Sequence, residues 1–150
     1  MAGTFSQLLL HVVFSTKRRD PWITAEIAPR LHSYMGGIVR AEKGTALNIN
    51  GVDDHVHMYI RWRPDVCISD LMRVVKSRSS AWVHDEFPRL SRFAWQEGYA
   101  AFTVSKSQEP AVMRYIDTQA EHHQKMDFRT EYLQLLRAHD CEFDERYVFD

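Results

Sequence analysis

The sequence predicts an α+β domain in which a four-stranded antiparallel sheet carries two helices on one face, with additional helices at the C-terminal end. Three observations predict it. Short runs rich in apolar and β-branched residues recur from about residues 7, 47, 55 and 98. The gaps after the first and third runs hold segments with helical spacing and helix-start residues. The second and third runs are separated only by Asp53-Asp54, which is turn chemistry and too short for a crossover.

The first strand is Gln7 to Ser15, followed by a basic turn, Thr16 to Pro21. Thr24 is the expected N-cap of a helix running towards Glu42, weakened at Gly36-Gly37 and stopped at Gly44. Leu47 to Val52 and His55 to Trp62 form a hairpin. Ser69 or Asp70 caps a second helix that ends near Glu86, with Pro88 beyond it. Gly98 to Ser105 is the last strand. Glu109-Pro110 opens a third helix predicted to run to about Lys125, and Thr130 to His139 is a fourth. The order is β-α-β-β-α-β followed by helices, the split βαβ or ferredoxin-like arrangement. Residues 1–150 read as a single domain, with 126–150 as a helical, acidic extension.

A chain of 150 residues, 45% of them hydrophobic, buries a core without staples. No apolar run approaches the roughly 20 residues of a bilayer span, and residues 1–10 lack the basic flank of a signal peptide. Cys67 and Cys141 lie far apart and form no CxxC pattern, so a reduced, cytoplasmic protein without membrane partners is expected. The net charge of -1 hides an asymmetry. Residues 1–125 hold 16 Lys and Arg against 13 Asp and Glu, whereas residues 126–150 hold 3 against 7. A mildly basic body with an acidic tail is compatible with nucleic acid without requiring it.

His55-Val56-His57 is the most informative tripeptide. Alternate residues of a strand share a face, so the two imidazoles point together while Val56 points to the opposite face, towards the core. Paired imidazoles can bind one divalent metal, and the same tripeptide also describes two half-exposed histidines on a sheet. Asp54 stands just before the pair, able to orient a ligand histidine through its other nitrogen. A third ligand must come from elsewhere. HExxH is absent, and Tyr59 replaces the acid of an HxHxD pattern.

On the third predicted helix, Val112, Met113, Ile116 and Ala120 form an apolar stripe, while Tyr115, Gln119 and His122 form another about 110° round from it. Such a tyrosine can line an interface, or it can be a nucleophile. A phenol with a pKa near 10 needs an electrophile already polarised by a metal. A cation held by His55, His57 and the neutral oxygen of Gln119 keeps its full charge, and Tyr115 would then attack phosphorus to form a phosphotyrosine link.

These residues resemble the small single-tyrosine HUH transposases, which include the IS200-like insertion-sequence transposases and the REP-associated tyrosine transposases of bacteria. The resemblance rests on stretches in order along nearly the whole chain: His11 to Lys17, Asp54 to His57, Lys76 to Ser80, Trp95 to Tyr99 and Tyr115 to Gln119. It implies a ferredoxin-like fold, a homodimer with a merged sheet, and Mg²⁺- or Mn²⁺-dependent cleavage and rejoining of single-stranded DNA through a 5′-phosphotyrosine. It also implies metal ligands His55, His57 and Gln119, nucleophile Tyr115, hairpin-ended DNA, and active sites shared between subunits in trans.

On the second helix, Leu71, Val75, Arg78 and Trp82 share one face, while Arg73, Lys76, Ser77, Ser80 and His84 share another. The second face offers cations and hydroxyls to phosphates, as does Lys17-Arg18-Arg19. Lys17, Arg18, Arg73, Lys76 and Ser80 are therefore the candidate DNA-binding residues. The competing reading is a non-catalytic ferredoxin-like module for single-stranded nucleic acid, which would have no use for the histidine pair with Tyr115 and Gln119.

Overall fold

A computed structural model describes residues 3–150. Its strands are β1 (Leu8–Ser15), β2 (Thr45–Val52), β3 (His55–Trp62) and β4 (Ala100–Thr103). Its helices are α1 (Ala28–Ala41), α2 (Ile68–Glu86), α3 (Glu109–Asp117), α4 (Gln119–His122) and α5 (Phe128–Ala138). The strands form one sheet in the order β2-β3-β1-β4, with every pair antiparallel. This is the expected split βαβ topology. Among the described residues, no helix is long and apolar enough to cross a membrane.

Strand alternation sorts the sheet into two faces. Val12 and Phe14 of β1 and Val56, Met58, Ile60 and Trp62 of β3 point to one side, where α1 and α2 cover them. Leu31, Met35, Ile38 and Val39 of α1 and Leu71, Met72, Val75 and Val83 of α2 complete that core. The β2–β3 hairpin turns at Asp53-Asp54, as expected. Gly51 is required beside that turn, because a Cβ there would sit 2.1 Å from the His55 carbonyl oxygen.

Several boundaries differ from the sequence reading. Thr24 does not cap α1. Its carbonyl accepts from the Ile27 and Ala28 amides in a preceding turn, and the helix begins at Ala28 with Pro29 in its first turn. Helix α2 starts directly after Cys67, ahead of Ser69 and Asp70. Its buried stripe runs through Leu71, Val75, Ser79 and Val83, so Arg78 is exposed and pairs with Glu42 at 3.6 Å. Ser79 is buried where Trp95 Nε1 donates to its hydroxyl at 2.9 Å. Strand β4 is shorter than residues 98–105.

The long third helix is in fact two. Helix α3 ends at Asp117, Thr118 breaks the run, and α4 begins at Gln119. Thr118 Oγ1 donates to the Arg114 carbonyl at 2.9 Å, the local competition that disfavours threonine inside helices. Two side chains of β2 donate to carbonyls of the last turns of α3: Asn50 Nδ2 to Ile116 O at 2.9 Å and Asn48 Nδ2 to Met113 O at 3.4 Å. The α3 end is thereby tied to the sheet of its own chain.

Helix α5 starts at Phe128, two residues before the predicted Thr130, because Asp127 accepts from the Thr130 amide at 2.9 Å. It lies on the second face of the sheet, with Phe128, Tyr132 and Leu136 packed against Val13, Ala100 and Phe102. The acidic tail folds back. Phe149 reaches Tyr132 and lies under the Arg19 and Arg129 guanidinium groups, and the Gly98 amide donates to the Asp150 carbonyl at 3.0 Å.

Candidate active site

The second face of the sheet carries His55, His57 and Tyr59 from β3 and His11 from β1, all buried beneath α3, α4 and α5. His55 and His57 do share a face, as the period of two requires. Each has one ring nitrogen tied back and the other directed inwards. His55 Nδ1 donates to Asp54 Oδ1 at 2.7 Å. His57 Nδ1 lies 2.8 Å from His11 Nε2. The two Nε2 atoms are left facing a common centre.

Two oxygens meet them there. Gln119 Oε1 lies 3.1 Å from His55 Nε2, and Glu131 Oε1 lies 3.1 Å from His57 Nε2 and 3.3 Å from His55 Nε2. His123 Nε2 approaches both oxygens, at 3.1 Å from Gln119 Oε1 and 3.0 Å from Glu131 Oε1. Tyr115 donates its hydroxyl proton to Glu131 Oε2, and Gln119 Nε2 donates to the Tyr115 carbonyl at 3.2 Å. The helix break therefore keeps Tyr115 and Gln119 together, although they no longer belong to one helix.

Electrostatics follow from this packing. Burial alone would lower the His55 imidazole, but hydrogen bonds to Asp54 and Glu131 outweigh it and raise its pKa to about 9. Burial holds His57 below its ordinary value despite Glu131, and burial reinforced by His57 takes His11 down to about 3. Burial would raise the Glu131 carboxyl, yet hydrogen bonds from His123, His55 and His57 hold it well below the usual carboxylate range. Burial, with the Glu131 carboxylate beside it, pushes the Tyr115 phenol above its ordinary value. Without a cation this tyrosine is a poor nucleophile.

The donor set fits a divalent metal. Ligand atoms of His55, His57 and Glu131 lie within 4.8 Å of one another, and all three side chains are buried. Nitrogen pairs with carboxylate or carbonyl oxygens suit first-row cations such as Mn²⁺. Of the residues brought together here, the sequence pointed to His55, His57, Asp54, Tyr115 and Gln119, but missed Glu131, His123 and the contact of His11. An acid inside the apolar stripe of α5, beside Phe128 and Tyr132, was the available signal.

The candidate DNA-binding residues lie elsewhere. Lys17 and Arg18 line a pocket closed by Phe149 and Asp150 of the tail. The backbone there is left-handed at Arg18 (φ 57°) and Arg19 (φ 58°), and Thr16 Oγ1 holds the turn by donating to the Asp20 carbonyl at 2.7 Å. Arg73, Lys76 and Ser80 line a groove with Trp95 and Tyr99. Lys76 is not a free cation, since its ammonium donates to the carbonyls of Gln96, Glu97 and Gly98. Arg73 pairs with Asp70 at 3.3 Å.

Comparison with known proteins places this geometry in context. A family model described as "Transposase IS200 like" matches residues 4–119. The ISDra2 transposase TnpA of Deinococcus radiodurans is 24% identical over 122 residues, covering 78% of this chain and 87% of that one. The transposase for insertion sequence element IS200 of Salmonella typhimurium is 27% identical over 116 residues, covering 74% of this chain and 76% of that one. Among solved structures, a proposed transposase from Deinococcus radiodurans superposes with a TM-score of 0.66 at 23% identity, over 79% of this chain and 95% of that one. A REP-associated tyrosine transposase bound to a REP hairpin gives a TM-score of 0.57 at 15% identity, over 82% and 74%. At these identities the two structures speak for the fold. The matched span contains His55, His57, Tyr115 and Gln119, and it stops before His123 and Glu131.

Proposed function

From the premise that the chain belongs to the IS200-like transposase family, and so to the enzymes of DNA transposition, we propose that it cuts and rejoins single-stranded DNA through a covalent bond to Tyr115. One observation carries this reading: the Tyr115 hydroxyl meets, within a single chain, the Glu131 carboxylate that also faces His55 and His57. A divalent cation held by His55 and His57 with the Gln119 or Glu131 oxygen would polarise the scissile phosphate and favour the phenolate. Mn²⁺ or Mg²⁺ is the proposed ion, with Mn²⁺ the better match to two imidazoles.

The protein's own groups perform the rest. Asp54 and His11 hold the rings of His55 and His57 by their Nδ1 atoms, which fixes the direction of both Nε2 lone pairs. Asn48 and Asn50 hold the end of α3, and with it Tyr115, against the sheet. Tyr115 Oη bonds to phosphorus as the bond from phosphorus to the 3′ oxygen breaks. The phenol proton, hydrogen-bonded to Glu131 Oε2 before reaction, ends on the departing 3′ oxygen. The products are a 5′-phosphotyrosine and a 3′-hydroxyl. The reverse reaction with another 3′-hydroxyl rejoins strands without ATP.

Tyr115, His55, His57, Gln119 and Glu131 meet within one chain, and on that ground we propose that the tyrosine serves its own histidines, with or without a homodimer. By analogy with the hairpin-bound relative, the proposed substrate is a strand with hairpin ends. End-labelled single strands carrying candidate hairpins test the reading. Cleavage should disappear with chelator, return with Mn²⁺, and be lost in Tyr115→Phe, while the melting temperature stays within a few degrees. Mixing His57→Ala with Tyr115→Phe should not restore activity. Restoration would show exchange of tyrosine helices between subunits, and chelator-resistant cleavage would overturn the metal-assisted reading.

A further inference from the structure

A cleft of about 350 Å³ opens beside Tyr115, between α3 and α5. Its helical walls are set by spacing. Gln108, Ala111, Val112 and Tyr115 face it from the α3 side, and Leu135 of α5 and His139, which caps that helix, face it from the other. Those two residues continue the row that begins at Glu131, four residues earlier. From Glu131 to His139 is eight residues, or about 12 Å along the helix. The cleft therefore leads outwards from the reaction centre, and Tyr115 borders both.

The floor is aromatic and apolar. His11 lies there, edge-on to the Tyr115 ring with centroids 6.1 Å apart, next to Val104. His139 stacks on Phe102 at 4.0 Å with the planes 17° apart. No lysine or arginine lines the cleft, so it is not built for a phosphate. Flat imidazole and phenol rings, aliphatic walls and hydrogen-bonding groups at the lip (Ser105 and Gln108) suit an uncharged planar group. A strand whose phosphodiester reaches Tyr115 must also lodge the nucleotide beside it.

We propose that this cleft takes the unpaired base of the nucleotide flanking the cut. The proposal rests on the single-strand reading above and adds a specificity site to it. The wall that carries Leu135 and His139 lies outside the span that matches the family model, whereas the rest of the lining, from His11 to Tyr115, lies within it.

The test uses the full chain in chelator, so that the strand stays uncut, with a pool of random 12-nucleotide single strands carrying 5-iododeoxyuridine. Irradiation and peptide mapping should place adducts within residues 103–115 or 128–139. Ala111 is exposed on α3, and Ala111→Trp fills the cleft without touching His55, His57 or Tyr115. It should remove those adducts and weaken strand binding roughly tenfold, the loss of about one stacked base, while Mn²⁺ affinity measured by calorimetry is unchanged. Adducts confined to the basic turn or the α2 groove, with Ala111→Trp binding as tightly as wild type, would overturn the cleft and leave the single-strand reading standing. Failure of the wild type to bind any single strand would overturn that reading and the cleft with it.

Discussion

On one side of β3, Val56, Met58 and Ile60 are sealed under α1 and α2; on the other, His55, His57 and Tyr59 are sealed under α3 to α5, and all six are fully buried. Burial does not distinguish the faces. What differs is what each burial needs. The first face requires only apolar area, worth about 25 cal/mol per Å² and indifferent to pH or ions. The second requires a partner for every polar group, because an unpaired buried donor or charge costs far more than a lost contact. It meets that need with Asp54, His11, Gln119, His123 and Glu131. One face is an apolar scaffold, and the other is a network of paired polar and charged groups.

Adjacent residues of β3 give the largest test of that contrast. Met58→Ala should cost about 2–5 kcal/mol of stability, yet leave cleavage by the folded fraction near wild type. His57→Ala should reduce cleavage at least about a thousandfold and abolish measurable Mn²⁺ binding. Paired denaturant melts and cleavage rates check both. A His57→Ala protein that cuts normally would break the distinction between the faces.

A smaller effect concerns pH. The folded His55 pKa of about 9 lies above the unfolded value near 6.5. In the metal-free protein, the stability that protonated His55 contributes is therefore fully present below about pH 6.5 and lost as pH rises through about 9. The loss is on the order of 3 kcal/mol. Denaturant melts across this window should show the decline, and His55→Gln should flatten it. Met58→Ala should lower the whole profile without altering its slope. Near pH 7, Mn²⁺ binding should release about one proton, read by calorimetry in buffers of different ionisation enthalpy.

The smallest effect is at the tie between β2 and α3. Asn50→Ala leaves the Ile116 carbonyl without its donor and should cost about 1 kcal/mol. Hydrogen exchange should rise across α3, and cleavage should slow with the sheet core unaffected.

The two faces were also unequally legible in sequence. The period of two in His55 to Trp62 and the acidic turn before it are local signals, and they place Val56 inwards and the two histidines together. Asp54 and the Tyr115–Gln119 proximity are local too. Glu131 is not: it meets His57 across 74 positions, through packing of α5 that no short-range pattern encodes. The same limit explains α2. Its stripe was set by Ser79 meeting Trp95 from a distant loop, so Arg78 faces solvent. The break at Thr118 had a local cause in the threonine hydroxyl, but the asparagine donors beside it come from another strand.

The most direct test of the central claim is the identity of the covalent adduct. Wild-type protein is incubated with Mn²⁺ and an end-labelled single strand, denatured, digested and mapped by peptide mass. One denaturation-resistant adduct is expected, on Tyr115, joined to the 5′-phosphate side of the cut, with a free 3′-hydroxyl on the other fragment. An adduct on any of the other five tyrosines, or a phosphate left on the 3′ end, would contradict it.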